Sequence, residues 1–227
     1  VFDLLEAVVF ILVHWFIFTF LGRHLIIGDS LLLFITTGIF PVLFFRTMSI
    51  RAASAIEASK AVTSIPGIAP IDYSISRTLV EFMSFLLLFL LFFALIEAFG
   101  ISRLAVPYNP VAVVEFLAAI FIFSFGIGLM NSFFNYVFPA WKFIWSIFSR
   151  IQIFFSAVFF IPEYMPPQIK EIIVYNPVLH LVSLFRSGFY SSYPMHLFSR
   201  EYMWGWSFSV LLIGLALERA LRNHRAL

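Results

Sequence analysis

The side chains able to do chemistry are few and widely spaced. Charged residues make up 11% of the 227-residue chain, and there is no cysteine. Thiol catalysis, disulfides and Cys-ligated metal are therefore excluded. The sequence has no phosphate loop and not one Gly-Lys pair, so it does not bind ATP by that route. HExxH and GxSxG are absent, and His14, His24, His180, His196 and His224 are scattered without metal-ligand spacing. What remains is binding chemistry. Arg46 and Arg51 follow the second apolar stretch. Each reads either as a positive anchor at a membrane surface or as a charge-assisted contact for a phosphate or carboxylate. Glu6 is either a helix-terminal charge or part of an entrance. His14, inside an apolar stretch, is either a hydrogen-bonded packing residue or a proton relay, and Arg150 is either an interfacial side chain or a functional one.

These residues must be positioned by membrane helices. Hydrophobic residues make up 62% of the chain. A soluble domain carries roughly 25% charged residues, and a chain this poor in charge needs lipid as its outer surface. Six apolar stretches approach the roughly 20 residues of a spanning helix: Leu4–Leu21, Ser30–Phe45, Thr78–Ile96, Val111–Met130, Phe143–Ile161 and Tyr202–Ala220. Their apolar runs are continuous, which fits helices and not the alternating strands of a membrane barrel. Asp3 and Glu6 stand where a signal peptide would be basic. With the N-terminus inside, nine of the 14 Lys and Arg fall on inner segments and five on outer ones, so both termini are expected in the cytoplasm. A net charge of +2 with no dense basic run speaks against nucleic acid.

Two segments do not span. Residues 46–77 contain a helix-forming run, Ala52–Thr63, broken at Pro66, Gly67 and Pro70. Residues 162–201 hold five prolines and two short apolar stretches, Ile169–Tyr175 and Val178–Tyr190, with Asn176-Pro177 as a turn and helix start. These read as re-entrant or interfacial helices. The expectation is an all-α membrane protein of about six transmembrane helices, with a cytoplasmic loop helix and outer re-entrant helices, forming one domain over residues 1–227.

Several blocks then carry a resemblance in their order and spacing. They are Leu5-Glu6 … His14 … Gly22-Arg23, Thr37-Gly38-Ile39-Phe40-Pro41 … Arg46, Pro66 … Pro70-Ile71-Asp72 and Phe138-Pro139 … Lys142. Most specific is Asn176-Pro177-Val178-Leu179-His180 followed by Arg186-Ser187-Gly188-Phe189-Tyr190. Over nearly its whole length the chain resembles the permease subunit of type-2 ABC exporters that move capsular polysaccharide across the bacterial inner membrane. The resemblance implies a homodimer with two separate ATP-binding subunits, which carry the ATP and Mg, so no cofactor or metal is expected in this chain. It implies a lipid-linked acidic polysaccharide as cargo, with periplasmic and outer-membrane export proteins as partners. It also implies an amphipathic segment before the first span, which is expected to be missing because the sequence starts at Val1. An exporter of O-antigen, teichoic acid or a drug is the neighbouring reading. A secondary carrier would need paired broken helices or a charge relay, and a membrane-embedded enzyme would need clustered acids or histidines.

A polysaccharide channel must let its cargo slide. Aromatic rings suit this, because their flat faces meet the C–H faces of sugars. Trp15, Phe16 and Phe18 cluster in the first span, and Phe154, Phe155, Phe159 and Phe160 in the fifth. With Glu6, Arg46 and Arg51 they form the expected channel, against the alternative that the rings face lipid. Ser54, Ile56, Glu57, Ala58 and Lys60 form the expected coupling helix for the ATPase, with Pro66, Pro70 and Asp72 on its return path. The alternative there is a plain surface helix. Asn176, Pro177, His180 and Arg186 either hold the outer hairpin together or face the exit.

Overall fold

The computed structural model describes residues 2–58 and 69–225. Among them there is no strand. The helices are α1 (Phe2–Phe20), α2 (Leu31–Ala58), α3 (Pro70–Ala98), α4 (Pro110–Val137), α5 (Trp141–Phe155), α6 (Pro167–Ile173), α7 (Pro177–Ser187) and α8 (Arg200–Arg225). The chain is an all-α membrane protein. α2, α3, α4 and α8 are each long and apolar enough to cross a bilayer, and α1 contributes a shorter apolar helix, Leu5–Phe20.

Local chemistry sets the helix starts. Asn109 accepts from the Ala112 N–H and Pro110 occupies the first helical position of α4. Pro70 does the same for α3, where the Asp72 carboxylate reaches back 2.9 Å to the Ala69 N–H. α2 is the central helix. Its most apolar window is 83% buried, against 28% for those of α3 and α8, and it packs against α1, α3, α4, α5 and α7. Polar residues on α2 turn inward on the helix itself: Thr36 and Thr37 donate to carbonyls one turn back. α4 and α8 approach so closely that a Cβ on Gly126 would lie 2.6 Å from the Leu211 nitrogen, and one on Gly214 would lie 2.6 Å from the Gly126 oxygen. In lipid, such small-residue contacts replace the hydrophobic effect as the source of helix association.

Two expectations need correction. The fifth span does not run to Ile161. α5 ends at Phe155 after 15 residues, about 22 Å at 1.5 Å per residue and short of a roughly 30 Å hydrocarbon core. Ala157 then takes a left-handed φ of 59°, and the carbonyls of Ala157, Val158 and Phe160 turn to the Arg186 guanidinium instead of continuing the helix. The second correction concerns the loop helix. Residues 52–58 are no separate element but the last two turns of α2, held by the Ser74 hydroxyl donating to the Ala52 carbonyl and by Ile56 packing with Phe125 and Leu129. α3 likewise begins at Pro70, eight residues before the expected Thr78.

Candidate functional site

α1, α2 and α5 enclose an open cleft of about 370 Å³. α1 contributes Glu6, Phe10 and His14, which share a helix face because they are four residues apart. α2 adds Val42, Leu43 and Arg46, and α5 adds Ser149, Arg150, Ile153 and Phe154. Arg46 Nη1 stands 3.2 Å from Glu6 Oε1, and among the described residues no carboxylate pairs with Arg150. The cleft therefore holds two cations against one acid.

Its aromatic lining continues along the same face of α1. The His14 ring stacks on Phe159 at 5.2 Å and 14°, and meets Phe10 at 4.1 Å. Phe18 meets Phe159 edge-on at 5.3 Å, and Phe154 lies 6.2 Å from it. His14 Nδ1 lies 2.8 Å from the Phe10 carbonyl. A carbonyl only accepts, so Nδ1 carries a proton and donates. Beyond Phe18, the Arg23 guanidinium sits 4.5 Å above that ring and donates to the Phe159 carbonyl. The series Glu6, Phe10, His14, Phe18 thus has cations at both ends and π faces between.

Of the expected channel residues, Glu6, Arg46 and Phe154 line the cleft, and Phe18 and Phe159 extend it. The others lie elsewhere. Phe16 is 66% exposed and stacks on Phe20 on the outer side of α1, and Trp15 is also at the surface. Arg51 is five residues past Arg46, on a different face of α2, and lies 3.9 Å from Glu81 of α3. Phe155 faces a second groove on the other side of α5, and Phe160 packs beside Ala157, Ile173 and Leu179. Phe10, His14, Ser149 and Arg150 were not among the expected channel residues. The four-residue spacing from Glu6 to Phe18 was the available signal for the first two.

Among the expected coupling residues, Ser54 and Ala58 are exposed on the last turns of α2, and Glu57 pairs with Lys142 of α5 at 2.6 Å. Ile56, 1% exposed, is packed inside the bundle. Pro70 and Asp72 start α3. Lys60 and Pro66 lie outside the described residues.

The hairpin that joins α5 to α7 is tied by its polar residues. Asn176 Oδ1 accepts from the Val178 N–H and from Gln152 Nε2, while Nδ2 donates to the Phe155 carbonyl and to Ser156 Oγ. That joins the end of α5 to the start of α7, with Pro177 in the first helical position. His180 Nε2 donates to the Val174 carbonyl, and Nδ1 accepts from the Ser199 N–H, which sets a neutral tautomer. Arg186 is fully buried; Nη1 donates to the Ala157 and Phe160 carbonyls and Nη2 to those of Phe34 and Val158. A Cβ on Gly38 would lie 2.5 Å from both Arg186 Nη2 and the Val158 oxygen, so α2 must be bare there. Backbone this irregular is tolerated in an apolar core because protein groups satisfy it.

No protein-family model matches the chain. It is similar to polysialic acid transport protein KpsM of Escherichia coli, 27% identical over 95% of this chain and 83% of that one. It is also similar to capsule polysaccharide export inner-membrane protein BexB of Haemophilus influenzae, 24% identical over 84% and 71%. A third relative is capsule polysaccharide export inner-membrane protein CtrC of Neisseria meningitidis serogroup B, 22% identical over 83% and 70%. The resemblance carried by the sequence motifs is borne out in these relatives.

Proposed function

We propose that this chain is the inner-membrane permease of a capsular polysaccharide exporter, and that the cleft between α1, α2 and α5 is one wall of its glycan path. The similarity to capsule export proteins over most of the chain supports the substrate class. One structural observation carries the assignment of the site: Arg46 and Arg150 sit at the mouth of a cleft with a wall of aromatic rings. An acidic glycan needs cations that relieve its charge and faces on which sugars slide, and both are present along one line.

The cleft is open where Phe154 is 63% exposed. A second copy of the chain closes it, so that two such walls face each other. Energy enters from a separate ATP-binding subunit, since the chain has no phosphate loop. That subunit contacts the shared end of α2 and α3, where Ser54 and Ala58 are exposed. Because residues 52–58 continue α2 without a break, a push at Ala58 acts directly on Arg46 and the cleft wall. This end and both termini are cytoplasmic.

The test is reconstitution. Inverted vesicles holding this chain and its ATPase take up an acidic oligosaccharide in the presence of ATP, and Arg46→Glu lowers the uptake at least about tenfold while the complex still assembles. Undiminished uptake by an assembled Arg46→Glu complex removes the cleft from the path.

A further inference from the structure

We infer that the groove on the opposite side of α5 binds a zwitterionic glycerophospholipid with a phosphoethanolamine head. The site is independent of the glycan path and needs only that the chain lie in a bilayer. Its head end is a pocket of about 260 Å³ between the last turns of α2 and α4 and the first turns of α5. Three buried polar atoms there have no partner among the described residues: Asn131 Nδ2, Trp145 Nε1 and Asn135 Oδ1. Asn131 is only 3% exposed, and its Oδ1 accepts from Trp141 Nε1 at 2.8 Å. That bond fixes the amide orientation and leaves Nδ2 as a donor for the pocket. Buried polar groups are normally paired, so three orphaned groups on residues that line one cavity point to a ligand seated against them.

The chemistry of the lining selects the head. Asn131 Nδ2 and Trp145 Nε1 are donors beside the Lys142 ammonium, a set that fits a phosphate. Asn135 Oδ1 accepts, and the Glu57 carboxylate lies 2.6 Å from Lys142, a set that fits an ammonium. The charged pair sums to zero, which suits a zwitterion and not an anion. Trp145 is shared with an apolar groove of about 500 Å³ whose walls include Phe123, Ile127, Phe148, Ile151 and Phe155. From Trp145 to Phe155 the groove follows α5 for about 15 Å, so an acyl chain lies along the helix while its head sits in the polar pocket.

The experiment is native mass spectrometry of the detergent-purified, delipidated protein titrated with phosphatidylethanolamine, phosphatidylcholine or phosphatidylglycerol. Phosphatidylethanolamine should be retained at about tenfold lower concentration than either of the others, because phosphatidylcholine has no N–H for Asn135 and Glu57 and phosphatidylglycerol has no cation. Trp145→Phe keeps the ring and removes one donor, and should cost about fivefold to tenfold in retention; Asn131→Leu should do the same, and Leu90→Ala on the exposed side of α3 should do nothing. Should Asn131→Leu not fold, Trp145→Phe decides alone. Equal retention of the three lipids, or unchanged phosphatidylethanolamine binding by Trp145→Phe, overturns the inference.

Discussion

The Arg186 guanidinium lies 4.1 Å over the Phe34 ring and donates through Nη2 to the Phe34 carbonyl at 3.2 Å, which binds the α5–α7 hairpin to the core of α2. Among the described residues no carboxylate pairs with this buried cation, and backbone carbonyls take that place. Arg186→Met leaves the Ala157, Val158 and Phe160 carbonyls without their donor, while the Phe34 carbonyl keeps the Thr37 hydroxyl. With each stranded buried group costing about 1–3 kcal/mol, it should destabilise by more than about 3 kcal/mol. Arg186→Lys keeps the charge but lacks the planar fork, so it should rescue only part. Gly38→Ala forces a clash with the same guanidinium and should cost about 1–3 kcal/mol. Thermal unfolding in detergent reads all three, and unchanged unfolding by Arg186→Met contradicts this role.

The pair between Glu6 and Arg46 should matter for transport and not for folding. Glu6 is 54% exposed, and such surface pairs contribute about 0–1 kcal/mol. Glu6→Gln therefore leaves the unfolding temperature within a few degrees and keeps or raises export of an acidic glycan. Arg46→Glu reverses the local charge and lowers export at least about tenfold. The difference narrows at high salt, because solvent-exposed charges are screened. Equal loss in both variants would mean that the pair acts as a structural tie.

Ala58 and Ile56 should separate coupling from packing. Ala58→Arg places a bulky charge on an exposed turn and should block co-purification of the ATPase while the chain unfolds normally. Ile56→Arg buries a charge beside Phe125 and Leu129 and should lower the yield of folded protein itself. Normal ATPase binding by Ala58→Arg removes that turn from the contact.

Acid should loosen the loop between α1 and α2. Asp29 accepts from the Ser102 hydroxyl at 2.5 Å and the Arg103 N–H at 2.9 Å. Desolvation pushes its carboxyl up, but these bonds and the Arg103 charge outweigh it and hold the carboxyl below its ordinary value. A depressed folded pKa adds stability above the unfolded value of 3.8, and that stability is lost as pH falls through the lower folded value. Asp29→Asn should lower stability at neutral pH, where that contribution is fully present, and flatten the acid limb below about pH 4, so that the two profiles converge in acid; a parallel shift at every pH contradicts the assignment.

The apolar runs made the helices legible, because lipid-facing and core-facing turns alike must be apolar across a bilayer. Helix ends beyond the apolar run were not. Residues 52–58 are polar and alanine-rich and look like a loop helix, yet Gly128 on α4 admits Ala52 so closely that α2 simply continues. The end of α5 was hidden because residues 156–161 are as apolar as the helix before them; it is Arg186, some 30 positions on, that takes their carbonyls. In the cleft, residue type identified Glu6 and Arg46, while aromatic clustering mixed rings on opposite faces. Phe16 and Phe18 differ by two residues and so point apart, a distinction that helical phase carries and local composition does not.

The most direct measurement is capture of the moving glycan. A photo-cross-linking amino acid is placed at position 14 or 154 in the cleft, or at position 90 on the exposed side of α3, in vesicles exporting an acidic polysaccharide. ATP-dependent glycan adducts at 14 and 154 and none at 90 are the expected result. Active transport with no adduct at either cleft position, or with adducts at 90, would show that the polymer passes elsewhere.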